Sequence, residues 1–123
     1  MFSQKKNAFF RTKNRNENTI INNTYNYMKI YLTAILKAKR EKKEELLVLL
    51  QNMVENTRKE ADCIKYDLQQ GTEDENLFIF HEIWESTEGL EQHNQQEYIK
   101  AFVSKADELL EEPAQIYLAN LIS

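Results

Sequence analysis

Within the run Leu77-Phe-Ile-Phe-His-Glu-Ile-Trp84-Glu-Ser86 lie an acid, a histidine and the only tryptophan of the chain, and His93 follows a short step later. The run is the most apolar in the sequence, and strict alternation sets Phe78, Phe80, Glu82 and Trp84 on one face and Leu77, Ile79, His81 and Ile83 on the other. Glu82 therefore stands between two aromatics on an apolar face. Burying a carboxylate costs on the order of several kcal/mol unless it is paired, hydrogen-bonded or protonated. The chemistry open to such a place is proton transfer, because burial raises carboxylate basicity and an imidazole titrates near neutrality.

Other chemistries lack their signatures. There is no paired Cys/His ligand spacing, no glycine-rich phosphate loop and no Ser-His-Asp arrangement, so metal, nucleotide and hydrolase readings fall together. Cys63 stands alone, which rules out an intrachain disulfide and suits a reducing cytoplasm. No run of about 18 apolar residues is present to span a membrane, and the N-terminus does not read as a secretory signal. Net charge is −4, yet residues 1–27 carry five cations against Glu17 alone, so the remainder is strongly acidic. An acidic body does not attract nucleic acid or an anionic membrane.

The elements that must hold these residues are legible by period. Residues 1–27, with seven Asn, read as an Asn/Lys-rich N-terminal extension, and Met28 is a candidate natural start. Residues 29–37 alternate as a strand with both faces largely covered. Residues 39–60 carry Leu46, Leu49, Leu50, Met53, Val54 and Thr57 on one helical stripe. Residues 63–70 alternate again, with Ile64, Tyr66 and Leu68 facing one way, and Gly71 to Asn76 reads as a hairpin loop. After the central run, Ser86 caps a short helix to about His93. Ile99, Phe102, Val103, Ala106, Leu109 and Leu110 stripe a second long helix over 97–110, closed by Pro113. A last strand is expected over 115–121.

The order β-α-β-β-α-β specifies an α+β, ferredoxin-like fold: a four-stranded antiparallel sheet with the helices on one face. The other face is too apolar for water, with Tyr31, Thr33 and Ile35 among its residues, so two sheets are expected to pack face to face in a homodimer, a dimeric α/β barrel.

From Met28 on, the chain resembles the antibiotic biosynthesis monooxygenase (ABM) domain family and its quinol-type monooxygenases. The likeness rests on Met28-Lys-Ile-Tyr31, Cys63-Ile-Lys-Tyr66-Asp67-Leu68, Phe80-His-Glu82-Ile-Trp84-Glu-Ser86, Leu90-Glu-Gln-His93, Tyr98-Ile-Lys-Ala101-Phe102, Leu109-Leu110 and Pro113. It implies a domain over 28–123 and a pocket between sheet and helices. It also implies a monooxygenase that oxidises a small aromatic or quinol-type substrate with dioxygen and needs no cofactor or metal. Haem-degrading relatives carry an Asn on the first strand; Tyr31-Leu-Thr33-Ala34 has none, which speaks against haem degradation.

In that frame His93 is the candidate base, Glu82 holds its tautomer or carries the proton, and Trp84 completes the catalytic group. Tyr66, Phe80 and Phe102 are the candidate substrate-binding residues. Structural alternatives stand beside each role. Trp84 can be core, Glu82 can pair with a cation across the dimer, and His93 can be an exposed cap on a helix dipole. His81 reads as structural or interfacial, and Cys63 as an inert small hydrophobe. The alternative function is a small-molecule-binding dimer without oxygenase activity, such as an isomerase of a phosphorylated signalling sugar.

Overall fold

The structure, a computed structural model, describes residues 28–123. The expected extension over 1–27 lies outside the described residues. The elements are β1 (Ile30–Lys37), a 3-10 turn (Arg40–Lys42), α1 (Lys43–Thr57), β2 (Cys63–Gln70), β3 (Leu77–Trp84), α2 (Thr87–Asn94), α3 (Glu97–Leu109) and β4 (Gln115–Ala119). All strand pairs are antiparallel and the sheet order is β2-β3-β1-β4. This is the ferredoxin-like arrangement, with the two most apolar strands, β3 and β1, in the middle.

One face of the sheet is buried. Ile30, Leu32, Ala34 and Leu36 of β1 and Phe78, Phe80, Glu82 and Trp84 of β3 lie in it, packed under Leu46, Leu50 and Met53 of α1, Leu90 of α2, and Ile99, Phe102, Ala106 and Leu109 of α3. The opposite face, with Tyr31, Thr33, Ile35, Ile79, His81 and Ile83, is only half-buried. Registers place Glu82 beside Tyr66 on one side and Leu32 on the other. His81 pairs with Thr33 and Asp67 on the open face, away from Glu82.

Three element boundaries differ from the sequence expectation. The first helix begins at Lys43, because Ala38 and Lys39 remain extended: their N–H groups donate to the carbonyls of Asn76 and Leu109 at 2.8 and 2.9 Å. It ends at Thr57, where a turn through Glu60 leads into β2. The last strand stops at Ala119, leaving Leu121 and Ile122 exposed. β2 also departs from plain alternation. A bulge between Cys63 and Lys65 inserts Ile64 as an extra residue, so Cys63 pairs with Trp84 and Ile64 turns outward, 43% exposed. Ile64 thus does not share the face of Tyr66 and Leu68.

Two glycines permit close approaches. At Gly71 an added Cβ would lie 2.5 Å from the Asp74 carbonyl oxygen in the β2–β3 hairpin. At Gly89, in the first turn of α2, it would lie 2.5 Å from Cβ of Asp62. Helix α2 therefore sits directly on the turn between α1 and β2. Asp62 also accepts from the Glu85 backbone N–H at 3.0 Å, which ties that turn to the end of β3.

Candidate active site

The site is built where the turn after α1, the end of β3 and the end of α2 meet. Ser86 caps α2, its hydroxyl accepting from the Gly89 N–H at 3.1 Å, and so fixes the direction in which His93 leaves the last turn. His93 is 3% exposed, which excludes an exposed cap. Its Nδ1 lies 2.9 Å from Oε2 of Glu60. The same oxygen accepts from the Tyr98 hydroxyl on α3. Glu60 is itself held by backbone bonds on both sides: its N–H donates to Thr57 at 2.9 Å, and its carbonyl accepts from Cys63 at 3.2 Å.

A carboxylate that already accepts from Tyr98 fits Nδ1–H of His93 as the donor to it. Around that ring the aromatics close in. The ring centroids of Trp84 and His93 are 4.6 Å apart, those of Tyr66 and His93 5.5 Å, and those of Tyr66 and Phe80 4.9 Å. Trp84 is fully buried, and its indole N–H donates to Oε1 of Glu82 at 2.8 Å. That bond is one answer to the buried carboxylate which the sequence left open: the tryptophan two residues on, on the same strand face, satisfies it.

Burial holds the Tyr66 phenol well above its ordinary range, and the charge of Glu82 pushes it further the same way. The phenol therefore stays protonated and can donate. Burial raises Tyr98 too, and so does its hydrogen bond to Glu60. The Cys63 thiol is pushed up to about 11, first by burial and then by the charges of Glu82 and Glu60.

A cleft opens between the buried sheet face and the helices. Phe80, Tyr66 and Glu82 line it from the sheet, His93 and Asn94 from α2, and Phe102 from α3. It holds about 340 Å³ of space not filled by atoms, open solvent at its mouth included, with room for about one water molecule. Among the described residues no Lys or Arg lines it. Among the described residues no group of three or more His, Cys, Asp and Glu is placed to hold a metal ion, and no helix is long and apolar enough to cross a membrane.

The model of the antibiotic biosynthesis monooxygenase family matches residues 29–105. YcnE of Bacillus subtilis, named a candidate monooxygenase, is 35% identical over 92 residues, covering 75% of this chain and 97% of YcnE. The chain belongs to the antibiotic biosynthesis monooxygenase family. A second relative, the uncharacterised sll1783 of Synechocystis, is 37% identical over 92 residues, which are 75% of this chain; the match spans 63% of that longer protein. Among solved structures, PA3566 of Pseudomonas aeruginosa superposes with a TM-score of 0.74 at 29% identity, covering 78% of this chain and 96% of that one.

In this ABM domain the sequence-chosen residues are brought together, with one qualification of place. Glu82, His93, Tyr66, Phe80 and Phe102 all line the cleft. Trp84 is not part of the lining; it lies behind the wall, against His93 and bonded to Glu82. Two residues with a bearing on the site escaped the sequence. Glu60 sits in a charged stretch that reads as a solvated face, and its partners lie 33 and 38 positions away. Asn94 has no sequence signal beyond its neighbour His93.

Proposed function

We propose that this chain is a monooxygenase that oxidises a small aromatic or quinol-type substrate with dioxygen and without a cofactor of its own. The observation that carries the reading is the buried Glu60–His93 pair at the wall of an aromatic-lined cleft. His93 Nε2 takes the proton from a ring hydroxyl or an activated ring carbon. The resulting anion passes an electron to dioxygen, the radical pair combines to form a carbon–oxygen bond, and the oxygen–oxygen bond then breaks. One oxygen atom stays on the product as a carbonyl, and the other leaves as water, formed with the proton returned by His93 and the hydrogen lost from the attacked carbon; all the reducing electrons come from the substrate.

Glu60 orients the imidazole and offsets its positive charge when it is protonated. Tyr66, protonated, donates to the developing oxyanion. Glu82 is held by the Trp84 indole at the back of the cleft, and Phe80 and Phe102 supply the dry wall.

The lining favours this over isomerisation of a phosphorylated sugar, for which an inward Lys or Arg would be expected. We place the protein in the cytoplasm, as two chains joined through their open sheet faces, with residues 1–27 as an appended extension. The test is dioxygen uptake with a panel of hydroquinones and anthrones, in the native chain and in His93→Ala. Uptake above autoxidation that collapses in the variant supports the reading; none with any substrate overturns it.

A further inference from the structure

Asn94 ends α2 directly after His93 and lines the same cleft. Both amide atoms, Nδ2 and Oδ1, are buried, and neither has a hydrogen-bond partner among the described residues. A buried amide without partners is costly, and a site that needed only filling would be better served by Leu of similar volume.

Two other polar groups of the cleft already bond within the protein. Glu82 accepts from Trp84 and His93 bonds Glu60, while the Tyr66 phenol is kept protonated. Among the described lining residues Asn94 offers a buried donor and a buried acceptor, neither with a described partner.

We propose that Asn94 is a substrate-recognition residue whose amide binds a ring oxygen of a hydroxylated aromatic. The amide fits both ends of a quinol oxidation. A ring hydroxyl donates, and Oδ1 accepts from it. Once that oxygen has become a carbonyl it only accepts, and Nδ2 donates to it. Asp or Lys would serve one of these states and oppose the other. The neighbouring His93 acts on the proton, while Asn94 reads the oxygen and so selects oxygenated rings over plain hydrocarbons.

The inference rests on the oxygenase reading for its chemistry, but recognition is tested by binding alone. Phenol and benzene are small probes that differ by one ring oxygen. Each is titrated into the native chain, Asn94→Leu and Asn94→Ala, following amide resonances by nuclear magnetic resonance. In the native chain phenol is expected to move the Asn94 side-chain NH2 signal and benzene to leave it in place. Relative to benzene, phenol is expected to lose about three- to tenfold in affinity in both variants. Asn94→Leu is expected to raise the urea midpoint of unfolding while losing this preference, the opposite of what a structural asparagine would show. The alanine variant keeps the test alive should leucine prevent folding.

A phenol-to-benzene ratio unchanged in the variants overturns the proposal, and so does native protein that binds neither probe. Oxygen uptake with hydroquinone, measured in parallel, separates the two ideas. A lost preference in the variants without uptake in the native chain leaves Asn94 as a recognition residue and sinks the oxygenase; uptake with an unchanged ratio does the reverse.

Discussion

At the scale of single residues, the carboxylate of Glu60 holds the His93 ring by its Nδ1 edge. It accepts from Nδ1 at 2.9 Å and from Tyr98 on another helix, so the ring is held from two elements at once. Replacing His93 with Ala removes the proposed base, and uptake of dioxygen is expected to fall about 10²- to 10⁴-fold. Glu60→Gln keeps the shape but presents an amide that can meet either ring tautomer. Turnover is expected to fall about tenfold or more with little change in KM, because the loss is of orientation rather than of binding. Equal turnover in native and Gln variants would show that Glu60 does no more than pack.

Cys63 gives a pH prediction with a defined sign. Its thiol is raised from 9.0 to about 11 in the folded chain, so below pH 9 it is protonated in both folded and unfolded states and the shift costs nothing. Between pH 9 and 11 the unfolded thiol ionises first, and stability is lost as pH rises through that window. Alkylation of the folded protein by iodoacetamide is accordingly expected to be slow at pH 8 and to accelerate only towards pH 11; brisk labelling at pH 8 would contradict the assigned environment. Neither Glu60 nor the setting of Cys63 could be read from the sequence. The charge pattern of α1 continues into Glu60 without a break, and the bulge that turns Cys63 to the Trp84 side is a backbone event with no residue signature.

At the scale of elements, what was legible was what repeats. The period of β3 assigned Phe78, Phe80, Glu82 and Trp84 to one face, and all four are buried. The stripes of α1 and α3 likewise named the residues that cover them, because burying an apolar face is a demand each segment makes by itself. Junctions are different. The start of α1 is set by bonds from Ala38 and Lys39 to residues of the hairpin and of α3, contacts that exist only after the chain has closed. The seat of α2 is also such a junction, for Gly89 lets the helix rest on Asp62, two residues from Glu60. Gly89→Ala brings a methyl against the Asp62 side chain, which must swing away or push the turn. We expect a loss of about 1–3 kcal/mol in urea unfolding, together with turnover reduced as it is in Glu60→Gln. Full stability and full activity in the alanine variant would show that the turn yields without disturbing the Glu60–His93 pair.

For the whole molecule the unresolved demand is the open face of the sheet. Helices cover β1 and β3 on one face, yet Tyr31, Ile35, Ile79 and Ile83 remain half-buried on the other, whose charges lie towards its rim, on Lys65 and Asp67 of β2 and on Lys37. His81 and Thr33 add groups able to bond across a symmetric interface without breaking its apolar character. A second copy of the same face meets these needs, since a two-fold axis brings like apolar residues together and shields both sheets at once. The proposed dimer would bear on the cleft, because Glu82 and Phe80 line it from β3, and a sheet covered on its open face would hold them in place. Ile79 is central on this face, paired with Ile35 and Gln69. In the proposed dimer Ile79→Glu would set a carboxylate in the apolar seam, and the variant is expected to sediment as a monomer where the native chain sediments as a dimer, with dioxygen uptake falling as the sheet loosens. A native chain that sediments as a monomer would remove the dimer; a monomeric variant with native uptake would keep the dimer and free the cleft from any dependence on it.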